Sequence, residues 1–243
     1  MSTGDPPLSI EPAGDSALLI RFPPEISQDR FNQVMDVLDR LRSAPIPGCV
    51  DLLPGYASVL VIYDPLVLDW RHTLGAVQAA LAAAREAAGD PAHVDRRPQR
   101  KVKIPVFYDP AVAPDLLPLA EEKGLAVEHL IDQHSAPLYR CHLIGFRPGF
   151  PFLGGLPPGL ATPRLATPRP RVPAGSVAIA GHQTGVYPAA GPGGWRIIGR
   201  TPLSMFDPQR REACLLRPGD RVWFVPIDRQ RYLELGGQVE ATR

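Results

Sequence analysis

Between Asp132 and Asp207 the chain has neither a carboxylate nor a lysine across 74 residues. That gap removes the usual general bases and hard-metal ligands, so an acid or base acting there must be a histidine or a carboxylate brought from another domain or subunit. Cysteine is scarce as well. Cys49, Cys141 and Cys214 are far apart, odd in number and without zinc spacing, which predicts buried thiols in a reduced, cytoplasmic protein. No run approaches the roughly 20 apolar residues needed to cross a bilayer. The opening MSTGDPPLSI has no basic start and no apolar run, so no secretory signal is expected. With 26 basic and 25 acidic side chains, net charge gives no argument for nucleic acid. Nothing matches a Walker phosphate loop, which argues against an independent ATPase.

What the gap does hold is seven arginines: Arg140, Arg147, Arg164, Arg169, Arg171, Arg196 and Arg200. They give the stretch +7, against 19 basic and 25 acidic side chains, or −6, elsewhere. Such asymmetry predicts a local positive field suited to an anionic ligand or an acidic partner surface. Arginine's planar fork can hold a carboxylate or phosphate through two hydrogen bonds, which lysine cannot. The same stretch contains 12 Pro and 12 Gly, a composition of short strands and shaped loops rather than helices.

The first hundred residues read as two hairpin pairs, each followed by a helix. Apolar runs at 7–11 and 17–22 flank the turn residues Ala13, Gly14 and Asp15. A helix capped by Ser27 repeats Phe31, Val34, Met35, Leu38 and Leu41 before Pro45 stops it. Runs at 49–53 and 57–63 follow. A second helix from about Asp69 carries the alanine-rich AVQAALAAAREAA, of high helix propensity. One apolar face per element implies two helices on a four-stranded antiparallel sheet. Polar residues with Pro91 and Pro98 form a linker at 89–103, which divides the chain into domains 1–95 and 96–243. Beyond it, a strand at 102–108 and helices at 116–123 and 127–133 precede strands at 139–145, 176–180, 185–187, 195–199 and 221–226. That pattern predicts a barrel or sandwich and places the whole chain in the α+β class.

No catalytic triad is legible, and no catalytic residue is assigned. Ser176 in GSVAIAG does not match a nucleophile elbow. His134, His142 and His182 are the histidine candidates, and their irregular spacing fits no metal motif. His182 stands between glycines beside Gln183 and Thr184, where the backbone can approach a ligand closely. Arg164, Arg169 and Arg171 lie in the proline-stiffened TPRLATPRPRVPAG, which loses little entropy on binding an anion. Phe146, Phe150 and Phe152 in GFRPGFPFLGG suggest a shaped wall. Arg147, Phe150, Arg164, Arg169, Arg171, His182, Gln183, Thr184 and Arg200 are the expected ligand-binding set, with no metal.

The run from Gly145 to Gly181, with QTGVYP, GPGGWRIIGRTPL and LLRPGDRVWFVP after it, resembles the allophanate hydrolase subunit 1 family, as do GDSALLIRF and PGYASVLVIYDP near the start. His182 departs from that family's AGGQTG run, which shifts weight to Gln183 and the arginines. The resemblance implies an N-terminal α+β domain and a C-terminal cyclophilin-like β-barrel, without prolyl isomerase activity. The family includes the B subunit of bacterial 5-oxoprolinase and a sporulation kinase inhibitor. It implies a larger partner subunit, of the allophanate hydrolase subunit 2 or 5-oxoprolinase C-subunit type, a third subunit, and a small lactam or amide substrate. It further implies ATP with magnesium in the assembled complex, no tightly bound cofactor in this chain, and no nucleic-acid or membrane partner. Three functions are open at this point: an oxoprolinase subunit, a urea-type carboxyltransferase, or a kinase regulator. For the first, the expectation is that alanine at Arg169 or Arg200 abolishes turnover and leaves the fold intact.

Overall fold

In a computed structural model, which describes residues 9–24, 27–44, 46–87 and 100–239, the chain divides into two compact units, Met1–Pro98 and Gln99–Arg243. The expected boundary at 95/96 lies outside the described residues.

The first unit runs β1 (Ser9–Pro12), β2 (Ala17–Arg21), α1 (Gln28–Ser43), β3 (Cys49–Pro54), β4 (Ser58–Tyr63) and α2 (Trp70–Ala87), with an antiparallel sheet in the order β1-β2-β4-β3. Alternation decides which side is buried. Leu18 and Ile20 of β2 pair with Val61 and Val59 of β4, and all four side chains point to one face. There they pack on Phe31, Val34, Leu38 and Leu41 of α1 and Val77 of α2. The caps form where the sequence puts them: the Ser27 side chain accepts from the Arg30 N–H, and Asp69 accepts from the His72 N–H.

The second unit runs β5 (Lys101–Phe107), α3 (Leu116–Lys123), α4 (Val127–Ser135), β6 (Tyr139–Ile144), β7 (Pro151–Gly154), β8 (Arg169–Val172), β9 (Ser176–Ala180), β10 (Gln183–Val186), β11 (Gly191–Gly193), β12 (Arg196–Arg200), β13 (Arg221–Ile227) and α5 (Arg229–Glu234). Seven strands close a barrel in the order β10-β7-β6-β13-β5-β12-β9, antiparallel except for the β5–β13 pair. Of the two architectures the spacing allowed, closure selects the barrel, which leaves no free sheet edge. Ile104, Val106, Tyr139, Leu153, Val177, Ile179, Ile198 and Phe224 belong to its main core, with Leu116, Leu119 and Leu130 from α3 and α4. Ala178, Ala180 and Ile197 belong instead to a second apolar cluster with Phe150, Tyr187 and Trp195. β8 and β11 pair as a separate two-stranded ribbon that contributes Val172 to this second cluster.

Inside the barrel lies one polar chain. The Thr184 hydroxyl donates to the Ala178 carbonyl (3.0 Å), so its oxygen accepts from His134 Nε2 (2.9 Å), and His134 Nδ1 accepts from the Tyr108 hydroxyl (2.7 Å). Burial holds the imidazole neutral and pushes its pKa down to about 3. His142 is likewise pushed down, to about 4, first by burial and then by Arg140 and Arg221. The unfolded chain therefore binds more protons than the folded one between about pH 6.5 and pH 3. Stability is expected to fall with pH across that window, by about 1.4 kcal/mol per unit from His134 alone. Denaturant unfolding as a function of pH checks this: His134→Gln should flatten the slope, and an unchanged slope would contradict the assignment.

Candidate functional site

The arginines that share one stretch of sequence do not share one site. Two are matched by carboxylates from outside the stretch. Arg169 makes a two-pronged ion pair with Asp115, Nη1 to Oδ2 at 2.9 Å and Nη2 to Oδ1 at 2.8 Å. Asp115 is buried, and its Oδ2 also accepts from the Ile197 N–H at 2.6 Å. Arg196 pairs with Glu122 at 3.2 Å. Arg169, expected as a ligand arginine removable without harm to the fold, spends its guanidinium on a tie from β8 to the start of α3 and, through Asp115, to β12.

Three other members of the expected set are engaged in contacts within the fold. Thr184 is enclosed in the His134 chain, and Phe150 is a core ring against Phe152, Tyr187 and Trp195. Arg147 braces a loop, with Nη1 donating to the Ala190 carbonyl at 3.0 Å. Gly191 leaves room for that guanidinium, which would have to shift if a Cβ stood there. Phe146 points outward instead, 65% exposed at φ 67°, in a turn closed by the Arg147 N–H to the Gly145 carbonyl (2.8 Å). That is a γ-turn of the strained, positive-φ kind.

His182 and Gln183 sit at the β9–β10 hairpin turn, and His182 is exposed. The opposite end of β9 opens onto a cleft of about 560 Å³. Five residues of strand put roughly 15 Å between the two ends, so HQTG and the cleft are separate places.

The cleft is walled by segments 171–175, 188–190, 200–204 and 232–238. Two of its lining residues are Arg171 and Arg200, and none is acidic. Arg171 is exposed, whereas Arg200 is buried at 4% exposure. The reason lies in the ladder. Arg200 ends β12 opposite Ser176 on β9 and Phe107 on β5, and Tyr232 of α5 stacks on Phe107 with ring centroids 5.1 Å apart. Arg200 Nη1 and the Tyr232 hydroxyl both donate to the Gln238 carbonyl at 3.2 Å. Gly175, at φ 78°, makes the wall possible, since a Cβ there would lie 2.3 Å from the Thr201 carbonyl oxygen. A buried arginine in a cleft whose described lining carries no acid is a preorganised receptor for an anion. Arg164 is exposed, and no polar contact ties it to the cleft among the described residues. Tyr232, Gly175 and Ser176 are not legible as ligand residues in the sequence. Asp228, which caps α5 by accepting from the Arg231 N–H, is the signal that could have placed Tyr232 on a helix.

Among the described residues no cluster of three His, Cys, Asp or Glu side chains could hold a metal ion, and no helix is long and apolar enough to cross a membrane.

Residues 8–216 match the family described as carboxyltransferase domain, subdomain C and D. The chain is 40% identical over 227 residues to the 5-oxoprolinase B subunit of Bacillus subtilis, covering 92% of this chain and 94% of that one. It is 41% identical to the 5-oxoprolinase B subunit of Escherichia coli O157:H7, over 88% and 93% of the two chains. Among solved structures, TTHA0988 superposes with a TM-score of 0.73 at 38% identity, over 87% of this chain and 40% of that longer one. The Kluyveromyces lactis urea carboxylase shares the fold, with a TM-score of 0.69 at 19% identity over 94% of this chain and 22% of that one. By the extent of these matches, the chain belongs to the carboxyltransferase domain family, subdomains C and D.

Proposed function

We propose that the protein is the B subunit of an ATP-dependent 5-oxoprolinase that opens the lactam of 5-oxoproline to glutamate, acting in the cytoplasm with a larger partner subunit and a third subunit. Two near-full-length relatives bear that name at 40% and 41% identity, and a lettered subunit implies companions. One structural observation carries the assignment to a site: the buried Arg200 at the foot of a cleft that no carboxylate lines among the described residues. 5-Oxoproline is a small ring with one carboxylate, and such a cleft can hold the acid group while the lactam faces outward.

The chain's own contribution is binding and orientation. Arg200, backed by Tyr232 and the Gln238 carbonyl, fixes a point of positive charge, and Arg171 adds a second at the rim. Holding a reactant in one geometry lowers the entropy cost of the chemical step. Among the described residues the cleft's lining has no carboxylate to hold magnesium, so that lining does not fit a magnesium-bound triphosphate.

A substrate panel tests this reading. The complete set of subunits should release glutamate and inorganic phosphate from 5-oxoproline and ATP, and should not carboxylate urea-type amides supplied with carboxybiotin. The reverse preference would replace the lactamase reading with a carboxyltransferase.

A further inference from the structure

Arg200, which lines the cleft, and Ser176, opposite it in the ladder, each carry buried polar atoms without a hydrogen bond among the described residues. Arg200 uses Nη1 on the Gln238 carbonyl, while its Nε and Nη2 are buried without a hydrogen bond. Ser176 stands opposite Arg200 in the ladder, is fully buried, and its Oγ is equally unpartnered. Buried polar groups are nearly always satisfied, because each orphan costs about 1–3 kcal/mol, and more when charged. Arg200 also has no carboxylate ion pair among the described residues, unlike Arg169 and Arg196. Two adjacent orphans on paired strands, beside an open cleft, point to a missing ligand.

The free donors define its chemistry. Nε–H and one Nη2–H run parallel along one edge of the guanidinium, a spacing that matches the two oxygens of a carboxylate. Ser176 can add a third hydrogen bond to one of those oxygens. One buried cation fits a monoanion, and Pro173, Pro188 and Leu203 offer apolar wall to a small body. We infer that Arg200 and Ser176 form a carboxylate-binding site that takes a small organic acid, with both carboxylate oxygens on Arg200 and one also on Ser176. That the acid is 5-oxoproline rests on the proposed function; the carboxylate class does not.

Calorimetric titration of the full chain, alone and in the assembled complex, tests the site. The probes are L-5-oxoproline, acetate, 2-pyrrolidinone (the same ring without its carboxylate) and inorganic phosphate. L-5-Oxoproline should bind at least tenfold more tightly than 2-pyrrolidinone and more tightly than phosphate. Ser176→Ala should weaken it about tenfold, and Arg200→Lys, which keeps the charge but loses the fork, about a hundredfold. A merely structural Ser176 predicts otherwise, since deleting an unsatisfied hydroxyl should leave affinity unchanged and stability equal or higher. Unaltered affinity in Ser176→Ala, or tighter binding of phosphate, overturns the inference. Turnover of 5-oxoproline with no carboxylate-dependent binding by this chain rejects the site and keeps the function. Binding of acetate through Arg200 and Ser176 without any 5-oxoproline turnover keeps the site and rejects the function.

Discussion

Replacing Asp115 by alanine is expected to destabilise the barrel unit by about 3–5 kcal/mol, the range for removing one partner of a buried, hydrogen-bonded ion pair. Asp115 is 4% exposed and accepts three hydrogen bonds, two from Arg169 and one from the Ile197 N–H. Its own N–H also donates to the Ile197 carbonyl at 3.0 Å. One residue thus joins the start of α3, the β8 strand and β12, three elements distant in sequence. Its loss leaves a half-buried guanidinium and a buried N–H without acceptors. Arg169→Ala should cost somewhat less, because the carboxylate keeps the Ile197 bond. Equilibrium denaturation measures both. A cost below about 1 kcal/mol for Asp115→Ala would put the pair in the class of exposed ion pairs and restore Arg169 as a candidate ligand group.

Replacing Arg200 by alanine in the assembled complex is expected to lower kcat/KM for 5-oxoproline by at least about a hundredfold. Most of the change should appear in KM, because the substrate's carboxylate is the same in the ground state and the transition state, so its binding is uniform. The fold should survive. Arg200 gives up its hydrogen bond to the Gln238 carbonyl, and removing a buried charge that has no ion pair among the described residues relieves a desolvation cost that offsets the packing lost with its stem. Steady-state kinetics with circular dichroism of the variant checks both halves. Wild-type kinetics in a folded Arg200→Ala protein would remove the cleft from the reaction.

The contrast between Arg169 and Arg200 shows how far the sequence can be read. Arginine density and missing carboxylates correctly mark a stretch of unusual charge, yet charge along the chain is not charge in space. Asp115 and Glu122 precede the stretch by sequence and return to it through α3. Local signals fare better where they act locally. Ser27 and Asp69 cap their helices, and Gly124 ends α3 at φ 64° as a glycine after a helix should. Alternation in β2, β4 and β9 is legible because each strand sorts its side chains between two faces. β7, β8 and β11 escape a reading by propensity because proline or glycine opens or fills them, and pairing supplies what propensity does not. The HQTG turn and the arginine cleft read as one site because they flank one motif; a five-residue strand separates them. Ser176 invites comparison only with a nucleophile, and its place opposite Arg200 depends on a bulged β9–β12 register that no spacing reveals.

The role of this chain is tested most directly by 5-oxoproline-dependent release of inorganic phosphate and glutamate from the complete set of subunits, measured with the chain present, absent and added back. Both products should appear only when the chain is present and return in proportion as it is restored. Undiminished turnover in its absence would contradict the claim that this protein is a working part of the lactamase.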